Sequence, residues 1–293
     1  MMNQPNAICI KIAEFSIKLF SDSVIELEEG YLPFVNNDAQ AIPDINIECV
    51  AGLPAKSFEG EPVFKAENEV QKFYSIYKND TGLAFVIYNQ QTRNEIQQIA
   101  FLNKSFTCWK IYSVASGNKL LPLKYPMGPI IMHYMTLKSD AVMMHASCAF
   151  DGEKARIFTG FSGAGKSTMS KIWSGAGNLI INDDRLIVRK QDDGFYVYNT
   201  PMYYRDIPKK AKLNSMFLIS HSPENKIRKI NGASAITKVM AFSIQNNFDR
   251  RFIEDRLDLF SQLCSQTGVY ELGFVPDQQV VQFVLTYEAG GNK

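Results

Sequence analysis

Gly160-Phe161-Ser162-Gly163-Ala164-Gly165-Lys166-Ser167 is the stretch that decides how this chain is read. It satisfies GxxxxGK[ST] at every position, and each position has a physical task. The glycines permit a tight turn and let backbone N–H groups reach phosphate oxygens with no Cβ in the way. Lys166 supplies a point charge to the β- and γ-phosphates, and the Ser167 hydroxyl is a ligand for Mg²⁺. A helix starting after the loop turns its positive end toward the same anion. The flanks agree with this: Ala155–Thr159 (ARIFT) is a short β-prone run, and Met169, Ile172 and Trp173 mark one face of a helix over residues 167–174. Gly175 and Gly177 then supply its stop. Strand, loop and helix in this order are what the motif requires. The expected ligand is therefore a polyphosphate with Mg²⁺, held by Gly160, Phe161, Ser162, Gly163, Ala164, Gly165, Lys166, Ser167 and Thr168.

Immediately downstream stands Leu179-Ile180-Ile181-Asn182-Asp183-Asp184, an apolar strand ending in two acids. Open α/β sheets carry their sites at such strand ends. One carboxylate can hold Mg²⁺, directly or through water, and the other can accept the proton of an attacking hydroxyl, as phosphoryl transfer requires. Upstream, His145 is expected at the end of a strand formed by residues 141–144. A lone histidine is more often structural than catalytic, and His133 and His221 are read as structural on the same ground.

The preceding half of the chain reads differently. Ile8, Ile10 and Ile12 alternate with polar residues, and Phe15, Ile17 and Leu19 resume the alternation out of phase, so a bulge or turn is expected near Ala13. Ile45, Ile47 and Cys49 alternate again. Residues 73–78 and 83–89 flank Asn79-Asp80-Thr81-Gly82, a hairpin turn, and residues 96–102 and 107–114 suggest two further strands. A meander of six or seven strands is expected, with no catalytic constellation in it. Pro122, Pro126, Gly128 and Pro129 then punctuate the chain before a short helix over 130–138. The expected organisation is a β-rich domain over residues 1–138 and an α/β P-loop domain over residues 139–293.

The 293 residues carry 31 Lys+Arg against 30 Asp+Glu, a balance that gives no reason to expect nucleic acid or a membrane surface as partner. No apolar run approaches the roughly 18–20 residues that span a bilayer, and the first residues lack a basic leader, so no secretory signal is expected. Five scattered cysteines without a CxxC pair fit reduced thiols in a cytoplasmic protein.

The segment from His145 to Asp184, HASCAFDGEKARIFTGFSGAGKSTMSKIWSGAGNLIINDD, resembles the catalytic domain of the HPr serine kinase/phosphorylases, which share their fold with ATP-dependent phosphoenolpyruvate carboxykinases. That family's histidine, GxSGxGKS loop and paired acids occur here together. The resemblance implies that residues 160–167 bind nucleotide phosphates, with Lys166 on the transferring group, and that Ser167 and Asp183 serve Mg²⁺. It implies Asp184 as the general base toward the acceptor hydroxyl, or the general acid in reverse, with His145 beside the phosphates tuning Asp184. The family's LEIRG-type stretch has no counterpart; the chain reads Val197-Tyr198-Asn199-Thr200-Pro201-Met202 there, and the HPr protein is not the expected acceptor.

The expected function is thus ATP- and Mg²⁺-dependent transfer of a phosphoryl group to a hydroxyl of a peptide, protein or small metabolite. The alternatives are a nucleotide-binding regulator without transfer and a carboxykinase-like enzyme; homo-oligomer formation stays open. In the remaining sequence, residues 233–243 and 253–267 read as amphipathic helices. Arg250, Arg251, Arg256 and Arg205 are candidates for phosphate or substrate contact, each weighed against a solvated helix face or loop.

Overall fold

Alternating apolar residues make the first half of the chain into strands whose inward side chains form a common core. The computed structural model describes residues 6–36, 42–55, 60–92, 95–115, 117–244, 248, 251–254 and 256–290. Two units result, Met1–Lys138 with Pro201–Ile207, and Ser139–Thr200 with Pro208–Lys293.

In the first unit, β1 (Asn6–Ile12) and β2 (Phe15–Ser21) are joined by Ala13 and Glu14, both at positive φ (49° and 64°). This two-residue turn lets Ile10, Ile12, Phe15, Ile17 and Leu19 all be buried although the alternation changes phase. The unit continues with β3 (Val24–Ile25), β4 (Ile45–Ala51), β5 (Phe64–Glu67), β6 (Lys72–Asn79) and β7 (Gly82–Tyr88). β8 (Ile96–Asn103), β9 (Cys108–Ser113) and β10 (Lys119–Leu120) complete its strands. Eight of them form one sheet in the order β1-β2-β4-β9-β8-β7-β6-β5, while β3 pairs with β10.

The expected meander holds from β5 to β9 and fails before it: β4 lies parallel to both β2 and β9. Alternation fixes which side chains face inward, and it carries no information about which strand is the neighbour. Helix α1 (Met127–Leu137) brings Tyr134 edge-on to Phe85 at 5.0 Å, and Phe85 in turn lies 5.2 Å from Trp109. Pro201–Ile207 belongs here too, and the Met202 backbone lies so close to Gly30 that no Cβ would fit at that position.

The second unit holds β11 (Ala141–Phe150), β12 (Ala155–Thr159), α2 (Lys166–Gly175), β13 (Leu179–Asn182), β14 (Arg185–Gln191) and β15 (Gly194–Asn199). It continues with β16 (Lys210–His221), β17 (Lys226–Lys229), α3 (Gly232–Phe242), α4 (Arg251–Glu254), α5 (Leu257–Gln266), β18 (Gly268–Phe274) and α6 (Gln279–Glu288). The helix expected over 253–267 is therefore interrupted, since α4 ends at Glu254 and α5 starts at Leu257.

Two long strands each have three neighbours. One edge of β11 pairs with β14 through Ala141–His145 and with β13 through Cys148–Phe150, and its other edge pairs with β12 through Ala146–Phe150. β16 pairs with β15 through Lys210–Lys212 and, farther on, runs parallel to β12 on one side and β18 on the other. The circuit β12–β11–β14–β15–β16–β12 thus closes on itself. β12 alternates its side chains between two cores: Ile157 joins the one covered by α3 and α5, and Phe158 the one covered by α2 and α6.

A polar cluster locks α6 to this frame. Arg156 is only 1% exposed and donates to Asp151 (2.7 Å) and Glu288 (2.7 and 2.9 Å), while its guanidinium stands 5.2 Å from the Trp173 ring centre. Ser215 of β16 also donates to Glu288, at 2.7 Å. Removing one partner of a buried pair leaves the other charge uncompensated. Glu288→Ala should therefore lower the unfolding free energy by about 3 kcal/mol, read from urea denaturation; a loss under about 1 kcal/mol would show that Arg156 does not depend on Glu288.

Candidate active site at the phosphate loop

β12 ends at Thr159, and the chain turns through the glycine-rich loop into α2. Gly163 and Gly165 both have positive φ, 79° and 99°. At Gly165 a side chain is excluded twice over, because a Cβ would also stand 2.7 Å from Phe274 Cζ. Lys166 opens α2, and no side chain caps the helix at Gly165, so its first-turn N–H groups face the loop without a side-chain acceptor. The Lys166 side chain is buried and bends back to donate to the carbonyls of Gly160 (3.1 Å) and Phe161 (3.2 Å). Ser147 of β11 donates to the Lys166 carbonyl at 3.1 Å, tying the helix start to the sheet. Ser162, Gly163 and Ser167 are exposed, and Ala164 and Thr168 half-buried. Fixed N–H donors, a lysine and an exposed hydroxyl are a donor set that fits a polyphosphate and its metal.

The acids reach this loop across β11. They connect β13 to β14, both paired with one edge of β11, while β12 pairs with the other edge from Ala146 onward. His145 is opposite Arg185, the residue after the acids, and Ala146 is opposite Thr159 at the end of the loop strand, so these groups meet across a single strand. The Ala146 N–H donates to the Asp184 carbonyl (3.0 Å), and the Thr159 hydroxyl donates to the His145 carbonyl (3.1 Å). His145 was expected at a strand end; it lies in mid-strand, just before the residue where β12 joins. Residues 141–150 are almost continuously apolar, so nothing local marks where the second neighbour begins.

Asn182 shapes the turn that carries both acids. Its buried side-chain oxygen accepts from the N–H groups of Asp183 (2.7 Å) and Asp184 (3.1 Å), and its amide donates to the Thr200 carbonyl (3.3 Å). Asp184 Oδ2 accepts from Arg185 Nη1 at 2.7 Å, and Oδ1 stands 3.4 Å from His145 Nε2. Burial lowers the Lys166 pKa, with the Asp184 charge opposing the shift. Partial burial, together with the Lys166 and Arg185 cations, lowers that of His145, again against Asp184. His145, Lys166 and Asp184 thus share one electrostatic neighbourhood, although they are far apart in sequence. Among the described residues no three His, Cys, Asp or Glu side chains gather as a metal cage.

Other expectations turn out differently. Arg256 is neither on a solvated face nor at a phosphate site: it is buried, donates from Nη2 to the Ala141 carbonyl, and lies 6.0 Å from the Phe260 ring centre. Burial pushes its pKa down to about 10. Arg250 lies outside the described residues, Arg251 opens α4, and Arg205 is exposed within the first unit. Conversely, His221, read as structural, ends β16 beside the loop with Nε2 3.2 Å from the Gly163 carbonyl and its ring 5.4 Å from Phe274. Asn182, Arg185 and His221 carry no motif; only the pairing of β16 alongside β12 reveals His221.

Residues 130–223 match the family model for phosphoenolpyruvate carboxykinase. The match covers less than half of the chain and includes the loop, both acids and His145. Among solved structures, the HPr(Ser) kinase/phosphatase from Coxiella burnetii is similar over 50% of this chain and 95% of its own, at 9% identity and a TM-score of 0.28. That superposition is too loose to transfer residue roles. No curated protein matches the sequence. The second unit is a P-loop α/β domain, and the first is β-rich.

A histidine whose folded pKa is depressed resists protonation while the unfolded chain accepts it at its ordinary value of 6.5. Its contribution to stability is present above that value and is lost as pH falls toward the lower folded value. Wild-type protein should therefore lose more stability than His145→Gln between about pH 7 and pH 5. Parallel denaturation midpoints across that range would contradict the described surroundings of His145.

Proposed function

We propose that this protein transfers the γ-phosphoryl group of ATP, with Mg²⁺, to a hydroxyl of a peptide, protein or small metabolite. The observation that carries this reading is Asp184, held between His145 and Arg185 in the electrostatic field of the loop lysine. A protein that only binds nucleotide needs no general base beside the phosphates.

The loop from Gly160 to Thr168 receives the phosphates, and Lys166 places its charge on the group being transferred. Ser167 and Asp183 are the residues that would hold Mg²⁺, which usually keeps waters and phosphate oxygens among its ligands. When bound, the metal supplies charge neutralisation across the β- and γ-phosphates. The acceptor oxygen attacks the γ-phosphorus, the bond to the β,γ-bridging oxygen breaks, and ADP leaves. The Asp184 carboxylate takes the hydroxyl proton. Arg185 fixes the orientation of that carboxylate through Oδ2, and His145, uncharged at neutral pH, stands at Oδ1 without competing as a cation. A cytoplasmic setting belongs to this reading, and among the described residues no helix is long and apolar enough to cross a membrane.

The family match favours a second reading, a carboxykinase that consumes oxaloacetate and ATP. It is tested directly by assaying phosphoenolpyruvate formation from those two compounds, and the kinase reading expects none.

The deciding experiment follows label from γ-labelled ATP into fractionated cell extract in the presence of Mg²⁺. Wild-type protein should label one fraction, and Asp184→Asn should reduce the rate by about 10²–10⁴-fold, the usual contribution of a positioned base, with ATP binding retained. Undiminished transfer by Asp184→Asn would remove Asp184 from the mechanism. ATP binding without any labelled fraction would favour a nucleotide-binding regulator.

A further inference from the structure

His221 ends β16 opposite Phe274, the last residue of β18. The Ser222 N–H donates to the Phe274 carbonyl at 3.1 Å, so the two chains stay bonded one residue past His221. The imidazole lies 5.4 Å from the Phe274 ring at a tilt of 30°, and Phe274 itself is buried. His221 is thus exposed to solvent, yet its ring is fixed by a strand end and a buried aromatic side chain.

This pair of rings braces the two loop glycines of positive φ. A Cβ at Gly165 would stand 2.7 Å from Phe274 Cζ and 3.3 Å from His221 Cε1. At Gly163, the carbonyl oxygen lies 3.2 Å from His221 Nε2. A carbonyl can only accept, so Nε2 carries the proton of this hydrogen bond. The other polar atom of the same peptide group, the Ala164 N–H, donates to the Phe161 carbonyl at 3.0 Å. The peptide between Gly163 and Ala164 is therefore held at both ends, once by the loop itself and once by His221. Gly163 brings no side chain to this task, and a Cβ there would meet nothing within 4 Å.

Resting on the phosphate reading of the loop, we propose that His221 is a positioning residue, whose Nε2–H keeps the Gly163 carbonyl turned toward the end of β16 and out of the phosphate site. A carbonyl oxygen facing a polyphosphate would repel it, and glycine is the residue whose backbone turns most freely. An oxygen engaged by His221 is not free to turn. The loop then meets its ligand already ordered, and the cost of ordering it does not fall on binding. Such an effect acts on any polyphosphate, whatever base or acceptor accompanies it.

Calorimetric titration of the full chain with inorganic tripolyphosphate, which has no base, tests this with three variants. His221→Phe keeps a ring against Phe274 and lacks the donor. His221→Gln carries an amide nitrogen as many bonds from Cα as Nε2, whereas His221→Asn carries one at the Nδ1 position, too short to reach Gly163. The Phe and Asn variants should bind tripolyphosphate about three- to tenfold more weakly than wild type, the usual worth of one neutral hydrogen bond, and the Gln variant within about twofold of it. If His221→Phe does not fold, the Gln and Asn variants, alike in chemistry and different in reach, decide alone. Wild-type affinity in the Asn variant, or equal losses in Gln and Asn, would overturn the role of the Nε2 donor while tripolyphosphate binding left the loop's role standing. Failure of wild-type protein to bind tripolyphosphate would instead remove the phosphate reading of the loop, and this proposal with it.

Discussion

The double pairing of β11 is the constraint on which the candidate site depends. One edge is bonded to β14 and β13, the two strands that the acids connect; the other edge receives β12, the strand that enters the loop, from Ala146 onward. Asp184 and the loop are thus held on opposite edges of a single strand. That strand joins them through backbone hydrogen bonds, which are insensitive to the identity of most side chains around them. The few side chains that do matter locally act on backbone: Thr159 on the His145 carbonyl, Ser147 on the Lys166 carbonyl, and Asn182 on the two N–H groups of the acids.

What the sequence makes legible here follows from the range of the forces involved. The loop and Asp183-Asp184 are local patterns in which the chemistry requires particular residues at fixed spacing, and both are found on the strand–loop–helix and strand–turn elements anticipated for them. The hairpin across Asn79–Gly82 and the phase change at Ala13 are equally local, each set by a turn. The parallel insertion of β4 between β2 and β9 depends on long connections, for which alternation offers no signal. His221 reached the loop for the same reason: its strand is adjacent to β12 in space and 50 or more residues away along the chain.

Arg256 illustrates another limit. Near the start of a helical pattern, an arginine suggests solvent or phosphate, because burying a guanidinium is costly. The Ala141 carbonyl and the Phe260 ring offset that cost in ways that only packing supplies. Arg156 does the same on the other side of the sheet with two carboxylates. The two arginines thus serve the architecture, one at the start of β11 and one on β12, the two strands that pair between the acids and the loop.

The seven residues from Pro201 to Ile207 belong to the first unit although they follow the phosphate loop, the acids and β15 in the chain. The first unit is therefore discontinuous in sequence: a nascent chain cannot complete it when residue 138 emerges and must wait until residue 207 has been made. By then the loop and both acids have also been synthesised. Exchange of the first unit between genes by a single recombination after Lys138 would leave this segment behind, so its inheritance is bound to that of the P-loop unit.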